Sequence, residues 1–243
     1  MSRDEKGFVF LSPLSYPEGV YDKWVPVFPC SLNDLHKWRI FMALSDPSKL
    51  AQYVRSLPDF VINENIDCNY NHIGATIADA VLQRNMRYKT HVKPRVNRIL
   101  STYPKSRTTK EVLRLLETVS AIEYLDWHGE DRAKCFSHIL GLFARENIET
   151  EVELQVWLSK EANLKKLRSI KYIGPKTVDY FKLLVGISTS AIDRHLLDFL
   201  EQAGFGRCGY DGAQSLINDT ADILGVDRAH FDHSIWQYMT KCS

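Results

Sequence analysis

Lys176 is the side chain of this 243-residue chain best placed for covalent chemistry, and Asp193 is an acid that follows it at the start of the next helix. The lysine lies in "SIKYIGPKTVDYFKLLVG" (Ser169–Gly186), just inside a helix that opens with Gly-Pro. The aspartate follows seventeen residues later, in "AIDRHL". Exposed N–H groups at a helix start carry about half a positive charge, so an ammonium is disfavoured there. Free lysine titrates near pH ~10.4, and burial, a helix N-terminus and neighbouring Lys or Arg all lower that value. A neutral amine can attack an electrophilic carbon and form a Schiff base. Both residues also have plainer uses. Lys176 can contact a phosphate or pair with Asp179 one turn on, and Asp193 can cap a helix, worth about 1 kcal/mol.

The elements that must position them are two helices and a tight turn. "ANLKKLRSI" reads as one helix, "KYIGP" as the turn and "PKTVDYFKLLV" as the second helix. Ile170 and Ile173 can anchor the turn, Gly174 gives the backbone freedom for a sharp reversal, and Pro175 suits the first helical position. Val178, Phe181, Leu184 and Val185 form the apolar stripe, leaving Lys176, Asp179 and Lys182 on other faces. Free N–H groups at such a helix start form an anion site, and with basic residues around it the expected anion is a nucleic-acid phosphate.

Charge distribution supports that partner more than net charge does. The chain carries +1 overall, yet Arg84–Lys110 holds nine Lys or Arg and no acid, and Asn163–Lys182 holds six against one acid. Two basic segments on a neutral chain are what a one-sided phosphate-binding face looks like, although solvated helix faces give the same pattern.

Almost everything from Ser31 onward has helical spacing, so the chain is expected to be all-α. "SLNDLHKWRIFMAL", "DPSKLAQYVRSL", "NHIGATIADAVLQRNM", "TKEVLRLLETVSAIEYL", "EDRAKCFSHILGLFAREN", "TEVELQVWLSKEANLKKL", "IDRHLLDFLEQAG", "YDGAQSLINDTADILG" and "DRAHFDHSIWQYMTK" read as helices. The first thirty residues, with "FVFL" and "KWVPVFP", read as a short extended N-terminal arm. "GFGRCG" (Gly204–Gly209) matches a dinucleotide-binding spacing but follows a helix, so it fails the context that motif needs. No apolar run approaches the roughly 20 residues of a membrane span, and the N-terminus has no signal-peptide core, so an intracellular location is expected. The five cysteines (Cys30, Cys68, Cys135, Cys208, Cys242) form no CxxC and read as reduced thiols. His230, Asp232 and His233 fit no strong metal-ligand spacing and read as a surface helix.

"IKYIGPKTVDYF" followed by "AIDRHL" resembles the signature of the helix-hairpin-helix DNA glycosylases. The match is carried by Ile173, Gly174, Pro175, Lys176 and Thr177, then Ile192, Asp193, Arg194 and His195. The likeness is weaker in "IADAVLQRN" (Ile77–Asn85), similar to an early helix ending in a polar patch near DNA. It is also weaker in "YLDWHGEDRAKCF" (Tyr124–Phe136), similar to the loop and helix before the hairpin, and in "FDHSIWQYM", similar to the late helix. It implies two helical domains with a cleft between them. Residues 71–185 would hold the hairpin, and residues 1–70 with 186–243 would form the second domain.

The resemblance implies a base-excision glycosylase with abasic-site lyase activity on double-stranded DNA, acting as a monomer. Lys176 would be the nucleophile and Asp193 the stabilising carboxylate. Ile173, Gly174, Lys171, Thr177, Arg84 and Lys89 would contact DNA. Gln83, Asn85, Tyr88, Trp127, His128 and Trp236 would supply a base pocket or wedge. The first substrate expected is 8-oxoguanine, with oxidised pyrimidines and hypermodified cytosine behind it. A water-using monofunctional glycosylase and a non-catalytic DNA-binding module are the alternatives. Many relatives bind an iron–sulfur cluster through four cysteines near the C-terminus. Only Cys208 and Cys242 lie there, so no cluster and no other cofactor is expected, beyond a monovalent cation that the hairpin could hold.

Overall fold

The computed structural model describes residues 2–3, 9–10, 46–64, 69–206 and 208–241. The expected helix "SLNDLHKWRIFMAL" and the "KWVPVFP" segment lie outside the described residues, as do Cys30, Cys68 and Cys242. Residues Met1–Asp46 and Pro47–Ser243 group as two separate compact units. In the first, β1 (Ser2–Arg3) and β2 (Val9–Phe10) pair antiparallel.

The second unit is all-α. Its helices are α1 (Pro47–Ser56), α2 (Ile73–Leu82), α3 (Lys93–Thr102), α4 (Thr109–Leu115), α5 (Ala121–Leu125) and α6 (Glu130–Arg145). They continue with α7 (Glu151–Leu158), α8 (Glu161–Arg168), α9 (Pro175–Leu184), α10 (Arg194–Gln202), α11 (Tyr210–Leu224) and α12 (Arg228–Lys241). No helix among the described residues is long and apolar enough to cross a membrane.

Helix α2 is the axis of the first core, with all ten residues buried. Its small residues let neighbours close in: a Cβ at Gly74 would run into the Tyr124 hydroxyl. His72 caps α2, its Nδ1 accepting the Ala75 amide at 3.2 Å while Nε2 faces the Tyr103 carbonyl at 3.0 Å. That pattern fixes a neutral ring with the proton on Nε2, and burial lowers the His72 pKa accordingly. Glu151 then accepts the Tyr70 and Asn71 amides and the Thr76 hydroxyl, tying the approach to α2 onto α7.

Helix α3 is preceded by a π-helical turn, Tyr88–Val92. The cause lies in Pro94, which offers no N–H to the residue four back and crowds its carbonyl, so the winding there opens. Two expected long helices are each broken in two. "TKEVLRLLETVSAIEYL" stops at Leu115, and Ser120 caps a new helix through the Glu123 amide. "TEVELQVWLSKEANLKKL" stops at Leu158, where the buried Asn163 amide group donates to the Trp157 carbonyl and so satisfies the end of α7.

Two separate apolar clusters result. One runs from Ile73 to Val185 through α2–α9. The other joins Leu50 and Val54 of α1 to Ile192–Met239 of α10–α12.

Candidate functional site

Pro175 opens α9 and places Lys176 in its first turn. Asp193 is the N-cap of α10, one carboxylate oxygen accepting the Leu196 amide at 3.1 Å. Its other oxygen lies 3.9 Å from Nζ of Lys176. Capping and pairing therefore share one carboxylate, and seventeen residues of chain bring the two groups together. Their side chains are 41 % and 18 % exposed, so the pair is open to an incoming molecule.

Asp179 is not the partner of Lys176. It is buried, where its carboxylate binds Lys182 at 2.8 Å, the Tyr210 hydroxyl at 2.8 Å and Gln214 at 2.9 Å. The plainer reading in which Lys176 pairs with Asp179 fails because Lys182 and residues of α11 occupy that carboxylate.

The turn before α9 also differs from expectation. Gly174 has extended backbone (φ −101, ψ −179) that any residue adopts, and a Cβ there would meet nothing within 4 Å. The left-handed residue is Tyr172, at φ 76. Its ring, 39 % exposed, lies beneath the Arg84 guanidinium at 4.1 Å and near the Lys171 ammonium at 4.7 Å. Those contacts, on a face shared by both basic segments, help hold a conformation that disfavours a side chain.

Lys176 and Asp193 line a cavity of about 570 Å³ where residues of the two apolar clusters meet. Tyr70, Gln83, Tyr88, Lys93 and Tyr180 form one wall, and Ala191, Asp232, His233 and Trp236 belong to the other. Behind the first wall, Asp79 is fully buried and accepts the Tyr70 hydroxyl at 2.6 Å and the Tyr180 hydroxyl at 3.1 Å. Burial pushes Asp79 up to about 6, against the two hydroxyls, which lower it. Burial and the Asp79 charge push both tyrosines well above their ordinary range. The wall is thus aromatic rings held at their tips by one carboxylate, a shape and chemistry suited to a flat, polar-edged ligand.

Across the cavity, the ring of His233 stacks on Trp236, with centroids 5.9 Å apart. Burial lowers the His233 pKa, and its Nε2 lies 2.8 Å from Gln237 Nε2, so the ring is neutral and accepts there. Asp232 accepts the Ala191 amide at 2.8 Å, which ties α12 to the segment leading into Asp193. The described residues contain no group of three or more His, Cys, Asp or Glu placed to hold a metal ion.

No family model matches this chain, and no curated protein does.

Of the residues expected at the site, Lys176, Asp193, Gln83, Tyr88 and Trp236 share the cavity. Asn85 and His128 are exposed and outside it. Trp127 packs against the first core between Arg95 and Arg132, at 5.1 and 4.3 Å, and is likewise outside it. Ile173 is buried and anchors the turn, Lys171 and Lys89 are exposed, and Gly174, Thr177 and Arg84 are half-buried. The basic run is partly spent on structure. Arg95 and Arg98 bond carbonyls at the end of α5, and Lys110 pairs with Glu149. Tyr70, Tyr180, Asp79 and Asp232 were not expected at the site. An acid inside the apolar "IADAVL" was the one available signal for Asp79. Asp232 was assigned to a surface helix, whereas it lines the cavity.

Proposed function

We propose that this protein is a base-excision DNA glycosylase with abasic-site lyase activity, removing a damaged or modified base through a lysine Schiff base. The supporting observation is the apposition of Lys176 and Asp193 on the wall of a cavity large enough for a nucleobase. A base reaches such a site only by leaving the duplex. The Lys176 nitrogen attacks the sugar C1′, the base departs, and Asp193 stabilises the positive charge that develops on the sugar. Ring opening gives an imine, from which the 3′ phosphate is lost by β-elimination. Double-stranded DNA inside the cell is the partner, with the chain acting as a monomer, and 8-oxoguanine is the first substrate to try.

Borohydride trapping on duplexes carrying 8-oxoguanine, thymine glycol or a plain abasic site tests this reading. A covalent adduct that disappears in Lys176→Gln supports it, and the duplex that yields it names the substrate. The absence of any adduct, including on the abasic duplex, sinks it.

A further inference from the structure

Asp193 and Asp232 both line the cavity that holds Lys176, and they are not equivalent. Asp193 is committed on both oxygens, to the Leu196 amide and to the lysine. Asp232 accepts one hydrogen bond, from Ala191 to Oδ2, which leaves Oδ1 with no hydrogen-bond partner among the described residues. It stands on α12 four residues before Trp236, and both line the cavity.

We propose that Asp232 is the general acid of this site, giving a proton to the departing base as Lys176 attacks the sugar. The assignment rests on the glycosylase reading. Starting from a neutral lysine, the nitrogen pair forms a bond to C1′. The C1′–N electrons leave with the base, and the Asp232 proton goes to the base. The nitrogen now joined to C1′ carries an extra proton, which returns to the Asp232 carboxylate, so the acid ends as it began.

The surroundings favour a protonated Asp232. Burial pushes it up to about 8, the Ala191 amide draws it down, Asp193 on the facing loop raises it, and Lys176 on α9 lowers it. On its own helix His230 and His233 are the nearby titratable groups, Asp227 lies just before the helix at the same cavity, and the Tyr210 hydroxyl of α11 feels the Asp232 charge. Two carboxylates whose environments differ in this way can divide the roles of acid and charge stabiliser.

Asp232→Asn keeps an acceptor for the Ala191 amide but has no proton to give. Single-turnover base release from the 8-oxoguanine and thymine glycol duplexes is measured beside borohydride trapping on a preformed abasic duplex, which has no base to protonate. Base release should fall about 100-fold, while trapping falls no more than about threefold. Wild-type base release should also decline as pH rises past about 8, and this limb should vanish in the variant.

Equal losses in the two reactions, or base release close to wild type, overturn the assignment. Where circular dichroism shows the variant unfolded, the wild-type profile decides: base release that stays level above that pH overturns it. Wild-type trapping on the abasic duplex without base release from either damaged duplex removes the acid role alone. No trapping on any duplex removes the glycosylase reading and the acid role with it.

Discussion

The Tyr210 hydroxyl donates to Oδ2 of Asp179 at 2.8 Å, so a tyrosine of α11 is fastened to the helix that carries Lys176. Gln214 shares the same oxygen and also holds the Ser190 carbonyl at 2.6 Å. Asp179→Ala strands Lys182, Tyr210 and Gln214 together. Removing one partner of a buried ion pair costs about 3–5 kcal/mol. Urea unfolding should show a loss of that order, with Asp179→Asn losing less because it keeps one acceptor. A loss below about 1 kcal/mol for the alanine variant would mean the bonds across the seam matter little.

Tyr124 supplies a different test. Its hydroxyl is buried with no hydrogen-bond partner among the described residues and stands where a Cβ at Gly74 would go. Tyr124→Phe should raise stability by about 1 kcal/mol, since an unmet polar group is removed from the core. Gly74→Ala should cost about 1–3 kcal/mol in the parent chain and clearly less in the phenylalanine background. Thermal or urea unfolding of the four proteins checks both statements, and additive effects would contradict the second.

Gly174 is open for substitution. Serine there has room for its Cβ and can cap α9, which has no side-chain cap. Gly174→Ser should leave stability unchanged or raise it by about 0.3 kcal/mol. On the glycosylase reading its side chain intrudes where a phosphate approaches the first turn, so affinity for an abasic duplex should fall about tenfold. Unchanged affinity in a binding titration would move the phosphate contact away from this turn.

Asp79 gives a pH signature. Its folded-state value of about 6 lies above its ordinary 3.8, so the folded protein holds this proton more tightly than the unfolded chain. That contribution is complete below about pH 4 and is lost as pH rises through about 6. Asp79→Asn should therefore gain on the parent protein by roughly 2–3 kcal/mol between pH 4 and pH 7. Taking the difference between the two proteins cancels the opposing titration of His72. A difference that does not vary with pH would contradict the burial of this carboxylate.

The all-α class was legible in the sequence because it rests on local rules, whereas the pairing of Lys176 with Asp193 was implied only by the resemblance. Pro175 starts a helix, Asp193 caps the next, and apolar residues recur at helical spacing. What stayed hidden depends on distant chain. Asp179 looks exposed on its own helix until Tyr210 and Gln214 arrive from α11. Trp157 and Asn163 close one helix and free the next only because Asn163 is buried. Tyr172, not the neighbouring glycine, takes the left-handed position, and no local preference favours a tyrosine there. Asp232 lies on a helix whose face is defined by the segment Ala191–Asp193, forty residues earlier.

The two apolar clusters differ in how soon they can form during synthesis. The first draws on one unbroken run of sequence, Ile73–Val185, and its contacts can close as that run leaves the ribosome. The second needs Leu50 and Val54 of α1 to meet α11, across the whole length of the first. Among the described residues the apolar face of α1 is covered by α10–α12, so it waits for them, and closing that long loop adds an entropic barrier. Lys176 is thus set on a finished scaffold early, while Asp193, Asp232 and Trp236 join it only at the end of translation. The nascent chain stays inert toward any reaction that needs both walls of the cavity.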